Sequence, residues 1–153
     1  MISKTAIVIP DQHFPLHDQS AVNCALKILE VAKPDIFINL GDVGEWESVS
    51  AWRWRDKKQP PLEYQLPIID EEIESVNEGI DQFDEVLDKI KCKERYICEG
   101  NHDYWLNNFV EKYPYLKNYK HDLQEFHHPS LLLEPSLYVS IFPSVNQENY
   151  IPL

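Results

Sequence analysis

Three short apolar runs lie in the first two thirds of this chain, and each is followed closely by a small polar cluster. The runs cover 5–9, 36–40 and 95–98, and each is typical of a β-strand. The clusters are Asp11-Gln12-His13, Gly41-Asp42 and Gly100-Asn101-His102-Asp103. Because the carboxyl ends of parallel strands share one edge of a sheet, we expect the three clusters to meet there.

A helical pattern separates the first two runs. Asp18 is a suitable N-cap, and Pro34 ends the segment. One face of this predicted helix carries apolar residues, namely Ala21, Ala25, Ile28, Leu29 and Ala32. Such a strand-helix-strand unit almost always crosses over right-handed and makes its two strands parallel.

A longer helix is predicted before the third run. Its apolar residues alternate at spacings of three and four, with Pro67 marking the first turn or a kink. This seam could serve as a coiled-coil or dimer face, but we interpret it as packing on the sheet. The residues of the seam are Leu66, Ile69, Ile73, Val76, Ile80, Phe83, Leu87 and Ile90.

These patterns predict an α/β fold, in which a largely parallel sheet is flanked by helices in a layered arrangement. The length of 153 residues suits a single domain spanning 1–153. A short helix is predicted over 104–113 and a further strand over 137–142.

Composition narrows the possible partners. The formal net charge of −12 disfavours nucleic acid and anionic membranes but is compatible with divalent cations. No run approaches the roughly 20 apolar residues of a membrane span. The three cysteines form no CxxC motif, which favours a reducing cytoplasm. Nothing in the sequence indicates an oligomeric state.

The order of the clusters resembles the calcineurin-like metallophosphoesterases. Their pattern runs Asp-x-His, Gly-Asp, Gly-Asn-His-Asp/Glu, then a separate His, and finally Gly-His-x-His. The first three elements stand intact here, and the resemblance implies a phosphatase or phosphodiesterase with two divalent metal ions. Mixed nitrogen and oxygen ligands suit manganese, iron or zinc.

The same resemblance implies a role for each cluster residue. Asp11 and His13 would bind one ion, Asp42 would bridge to a second, and Asn101 would bind that second ion. His102 would face the substrate and protonate the leaving oxygen, which suits an imidazole near neutral pH.

Four further residues are candidates to support the ligands or to contact the substrate. Asp103 could orient His102 or cap the following helix, and Glu45 could orient a metal ligand. The Trp-rich and Arg-rich stretch 46–61 reads as an excursion or lid from the sheet edge. Its Arg53 and Arg55 could meet substrate phosphates, or they could pair with the abundant acidic residues while the tryptophans pack.

The second half of the chain departs from the family pattern, because it contains no Gly-His pair. His128 is a weak candidate for the separate ligand. We therefore expect the second half of the domain to be incomplete at its C-terminus. Two alternatives to a phosphoester hydrolase remain open: an inactive or truncated remnant that keeps the fold with a partial metal site, and a metal-dependent DNA nuclease.

Overall fold

The computed structural model of the protein describes residues 4–116. Its elements are β1 (Ala6–Ile9), α1 (Gln19–Ala32), β2 (Ile36–Asn39), α2 (Leu62–Lys89), β3 (Glu94–Ile97) and α3 (Asn101–Lys112), followed by a short 3-10 helix, Pro114–Leu116. The prediction of an α/β fold is confirmed. The predicted strand over 137–142 and the candidate ligand His128 lie outside the described residues. No helix in the described part of the chain is long and apolar enough to cross a membrane.

The strands form one parallel sheet in the order β1-β2-β3. Ile9, Asn39 and Ile97 lie side by side in register, so the three strands end at the same edge. The prediction that the first strand is covered on both faces is wrong for the described residues. Val8 is 47% exposed, because it alternates with Ile7 and Ile9, which pack against the core, and therefore lies on the opposite face of the sheet.

Helix α1 begins where its cap predicts. The Asp18 carboxylate accepts hydrogen bonds from the backbone N–H groups of Ser20 (2.8 Å) and Ala21 (3.3 Å). The buried face is rotated from the predicted one, however, and Ile28 is 52% exposed. The observed face carries larger side chains at spacings of three and four, namely Val22, Ala25, Leu26 and Leu29, and burying these removes more apolar surface from water.

The seam of α2 packs into the core, as the interpretation of a helix on the sheet predicts. Six of its residues are buried, and Leu66 and Ile90 are partly buried against the same cluster. Phe83 stacks on Phe37 of β2 with ring centroids 5.8 Å apart. Pro67 lies inside the helix, beyond its first turn, because the helix already begins at Leu62 after Pro61.

A buried arginine fastens β3 to α2. Arg95 is 3% exposed, and its guanidinium contacts Asp84 (3.0 Å), Asp88 (2.5 Å) and the carbonyl oxygen of Cys92 (2.8 Å). A buried guanidinium is tolerated when carboxylates and carbonyls satisfy its donors in this way. These contacts fix the strand that leads into Gly100.

The stretch between β2 and α2 contains turns over 47–49 and 51–56 and is tied to α2 by a buried polar cluster. The Glu72 carboxylate accepts hydrogen bonds from the backbone N–H (3.1 Å) and the hydroxyl of Ser48. The Ser48 carbonyl accepts from the Gln65 amide (3.0 Å) and the Trp54 indole (3.0 Å). Hydrogen bonds as well as packing therefore attach the excursion to α2.

Glu72 should make stability depend on pH. Burial raises the pKa of this carboxyl above its ordinary value of 4.5, so the folded protein keeps a proton that the unfolded chain releases. The resulting stabilisation is present in full below about pH 4.5 and is lost as pH rises through the raised pKa. We expect Glu72→Gln to gain stability relative to the parent protein across this rise, measured by urea unfolding at a series of pH values.

Glu71→Gln is the matched control, since it removes a charge from an exposed neighbour on the same helix. The expectation for Glu72 is wrong if both variants show the same pH dependence relative to the parent protein.

Candidate metal centre

The segments that follow β1 and β2 stay paired beyond the sheet. The backbone N–H groups of Asp11, His13 and Phe14 donate to the carbonyls of Gly41 (3.2 Å), Asp42 (3.0 Å) and Val43 (2.8 Å). The Glu45 N–H donates back to the Phe14 carbonyl (2.9 Å). The first two polar clusters are therefore held side by side by their own backbones.

The candidate ligands in these segments have a rare backbone conformation. Asp11, His13 and Asp42 have φ angles of 56°, 55° and 51°. Positive φ is uncommon outside glycine and costs about 1–3 kcal/mol per residue. Such strain concentrates at functional sites, where the surrounding hydrogen bonds maintain it.

Two glycines bring the third cluster against the second. Gly41 has φ 95°, and a Cβ added there would lie 2.3 Å from the Gly100 nitrogen. A Cβ on Gly100 would in turn lie 2.2 Å from the Asp42 nitrogen and from its Oδ1. The backbones touch at this point, so neither position has room for a side chain.

Helix α3 begins at Asn101, whereas the sequence predicted a start at Tyr104. The reason is Asp103, whose carboxylate accepts from the Gly100 N–H (3.0 Å) and caps the helix. The same carboxylate accepts from the N–H groups of Val43 (3.4 Å) and Gly44 (3.2 Å) and from the Trp46 indole (3.0 Å). Asp103 thus ties the second cluster to the first turn of α3.

The structure gathers the metal-ligand candidates at this edge. Ligand atoms of Asp11, His13 and Asp42 all lie within 4.8 Å of one another. Asp42 Oδ1 accepts a hydrogen bond from the His102 backbone N–H (2.7 Å). In the amide orientation that satisfies both of its partners, Asn101 donates to Asp42 Oδ2 (3.2 Å) and accepts from the His102 N–H (3.3 Å). Asn101 therefore lies beside the Asp42 carboxylate.

A second group of possible ligands contains His13, Glu45 and His102, again within 4.8 Å. His13 Nδ1 lies 2.8 Å from Glu45 Oε2 but makes no aligned hydrogen bond. A carboxylate behind a metal-binding imidazole is the common arrangement that orients such ligands. The structure thus places Glu45 where it can support His13.

The surroundings of His102 determine how its ring can act. Its Nδ1 lies 3.1 Å from the Glu45 carbonyl oxygen and 3.5 Å from Glu45 Oε2. A carbonyl oxygen only accepts hydrogen bonds, so this contact favours the proton on Nδ1 and leaves Nε2 free for another partner. The ring also meets His13 edge to face, with centroids 4.6 Å apart.

Arg53 and Arg55 are placed differently from the ligands. Arg53 forms an ion pair with Glu47 and lies over the Trp54 ring at 5.6 Å. Arg55 lies 5.6 Å from the ring of Trp52, which is 61% exposed. Within residues 4–116, no hydrogen bond or ion pair joins either arginine to a candidate metal ligand.

Sequence reasoning missed two residues that shape the site, Asn39 and Trp105. Asn39 is 1% exposed; its side-chain nitrogen donates to Gln12 Oε1 (2.8 Å), and its Oδ1 accepts from the Gly41 N–H (2.9 Å). The signal was available, because a polar residue at the end of an apolar strand needs a partner. Trp105 stacks on His102 with centroids 4.1 Å apart, and only the spacing of three on a helix pointed to it.

Comparison with known families agrees with this geometry. Residues 5–146 match the calcineurin-like phosphoesterase family, a span that extends well beyond the three clusters. A search of curated proteins and a search of solved structures each found no match. The family match covers the strands, both helices between them and all the candidate ligands described above. The chain belongs to the calcineurin-like phosphoesterase family.

Proposed function

We propose that the protein hydrolyses phosphate mono- or diesters with two divalent metal ions bound at this sheet edge. The observation that carries the proposal is the convergence of Asp11, His13 and Asp42 within 4.8 Å. Metal-dependent phosphoester hydrolysis is the activity that family membership supports. The number of ions, the identity of the metals and the roles below are our proposal.

The residues present fit divalent metal ions. Asp11 and His13 would hold one ion, and Asp42 would bridge to a second that Asn101 also holds, once its amide turns its oxygen toward that site. This donor set mixes carboxylate, amide and imidazole atoms, which suits manganese, iron or zinc. The left-handed backbone conformation of Asp11, His13 and Asp42 costs free energy, and metal binding would offset this cost.

When bound, such ions would polarise the phosphate and lower the pKa of a water molecule. The water oxygen bonds to phosphorus as the bond from phosphorus to the leaving oxygen breaks, and the water releases its proton to solvent. His102 is the proposed acid: Nε2 of its imidazolium donates a proton to the leaving oxygen, and the ring regains one from solvent. The Glu45 carbonyl oxygen lies 3.1 Å from Nδ1 and orients the ring.

The test is metal uptake followed by turnover of the unmodified chain. We expect manganese to bind, measured by elemental analysis after dialysis, and to stimulate hydrolysis of bis(4-nitrophenyl) phosphate. The proposal is wrong for this chain if no metal binds. Substoichiometric metal without turnover would instead indicate an inactive remnant.

The nuclease alternative depends on the exposed Trp52 and the cation over its ring. Base stacking together with phosphate contacts would favour single-stranded DNA. Comparing rates on the aryl ester and on single-stranded DNA separates the two functions. We expect the aryl ester to be preferred, because the net charge of −12 opposes a polyanion.

A further inference from the structure

A shallow cleft adjoins His102 on the side of Trp105. It lies between the excursion 46–61 and α3, has a volume of roughly 160 Å³ and is open to solvent. Besides Trp105, its lining is apolar at Val49, Ala51 and Phe109 and polar at Gln59, Asn108 and Lys112. The candidate metal ligands are not among the residues that line this cleft. The cleft therefore offers a partly apolar binding surface.

Trp105 connects the cleft to the proposed acid. Residues three apart on a helix share a face, and the Trp105 ring stacks on His102 at 29° between the ring planes. Trp105 is also one of the residues that line the cleft. Through Trp105, the cleft therefore lies next to the residue that is proposed to protonate the leaving oxygen.

We infer that the cleft binds the leaving group of the substrate and that it selects a planar aromatic one. This inference rests on the proposed function, because it takes His102 as the residue that faces the leaving oxygen. Trp105 is then a specificity-determining residue, since its indole offers an aromatic surface on which a ring can stack. Its stacking on His102 also makes it a positioning residue for the acid.

A matched pair of esters isolates the aromatic preference. Benzyl phosphate and cyclohexylmethyl phosphate have leaving alcohols of similar size that differ in the planarity of the ring. Benzyl alcohol is slightly more acidic, and comparison with Trp105→Leu cancels this difference because both proteins act on the same two esters. Phosphate release by the manganese-loaded protein gives the ratio of their kcat/KM values. We expect the ratio to favour the benzyl ester by about 3- to 10-fold, as an aromatic contact does.

Variants of Trp105 separate selection from positioning. Trp105→Leu should bring the ratio near one, while Trp105→Phe should keep most of it. Both variants can lower kcat/KM for the two esters together, because both alter the packing against His102, but only the ratio reports the cleft. A ratio near one in the parent protein, or one unchanged in Trp105→Leu, overturns the inference.

A second variant tests the cleft without touching the His102 contact. Ala51 is exposed and lines the cleft, so Ala51→Leu should narrow the space without adding an aromatic surface and should lower the benzyl preference. Ala32→Leu adds the same side chain at another exposed alanine, at the end of α1, and should leave the ratio unchanged. Equal effects of the two variants overturn the inference.

Binding of non-hydrolysable analogues distinguishes this inference from the proposed function. Benzylphosphonate should bind more tightly than cyclohexylmethylphosphonate by the same factor, measured by calorimetry, and Trp105→Leu should remove the difference. If this preference is found but neither ester is hydrolysed, the cleft binds as inferred and the hydrolase proposal fails. If both esters are hydrolysed but neither kinetics nor binding distinguishes them, the inference alone fails.

Discussion

Asp42→Asn should lower manganese affinity and hydrolysis of bis(4-nitrophenyl) phosphate by at least about 100-fold. Residues that only support metal ligands already cost 10- to 100-fold when they are changed, and Asp42 is proposed to bind both ions itself. Asparagine has nearly the same shape as aspartate. Its oxygen can still accept the hydrogen bond that the His102 N–H donates to Asp42 Oδ1 in the parent protein (2.7 Å). The change therefore removes the charge while keeping the contact that positions α3.

Two measurements make this result specific. Urea unfolding without metal should differ little between the variant and the parent protein, because the backbone contacts around Asp42 remain. Asp81→Asn is the matched control, since it removes the same charge from an exposed position on α2. Retained manganese affinity in Asp42→Asn, or an equal loss in Asp81→Asn, would contradict the bridging role.

The fold of residues 4–116 could be predicted because the helix cap, the spacing of apolar residues and the short apolar strands all indicate the same arrangement. Asp18 caps α1, the spacing of Ile73 and Ile80 buries one face of α2, and Phe37 lies in a short buried strand. The errors occurred where packing between elements decides the outcome. The buried face of α1 follows from its contact with α2, and the exposure of Val8 follows from its place on the sheet face opposite to Ile7 and Ile9.

The sequence predicted which residues gather at the sheet edge, but it did not predict the hydrogen bonds that hold them there. Parallel strands bring Asp11, Asp42 and Asn101 to one edge, and the motif order names them. The Asp103 carboxylate both caps α3 and binds the N–H groups of Val43 and Gly44. The second contact was harder to predict, because it joins residues about sixty positions apart in the sequence. The left-handed backbone conformation of the candidate ligands could not be predicted from the sequence either, since it arises from pairing between two loops.

Gly41→Ala should destabilise the fold by roughly 2–6 kcal/mol. One part of this cost is the φ of 95°, which an L-alanine adopts only with strain of about 1–3 kcal/mol. The other part is overpacking, about 1–3 kcal/mol, because the added Cβ would lie 2.3 Å from the Gly100 nitrogen. The added Cβ would meet the backbone of Gly100 and not a flexible side chain that could move aside. The second and third clusters must therefore separate. Metal affinity should fall with stability, since Asp42 and Asn101 sit on the two segments that part.

Lys33→Gly is the informative contrast for this prediction. Lys33 also has a left-handed backbone, with φ 45° at the end of α1, so glycine there should raise the free energy of unfolding by about 1 kcal/mol. Urea unfolding of both variants separates the two contributions, because Lys33 reports the backbone preference without the close approach. A loss in Gly41→Ala no larger than the gain in Lys33→Gly would show that the cluster backbones can move apart freely. The close contact between Gly41 and Gly100 would then not be what holds Asp42 beside Asn101.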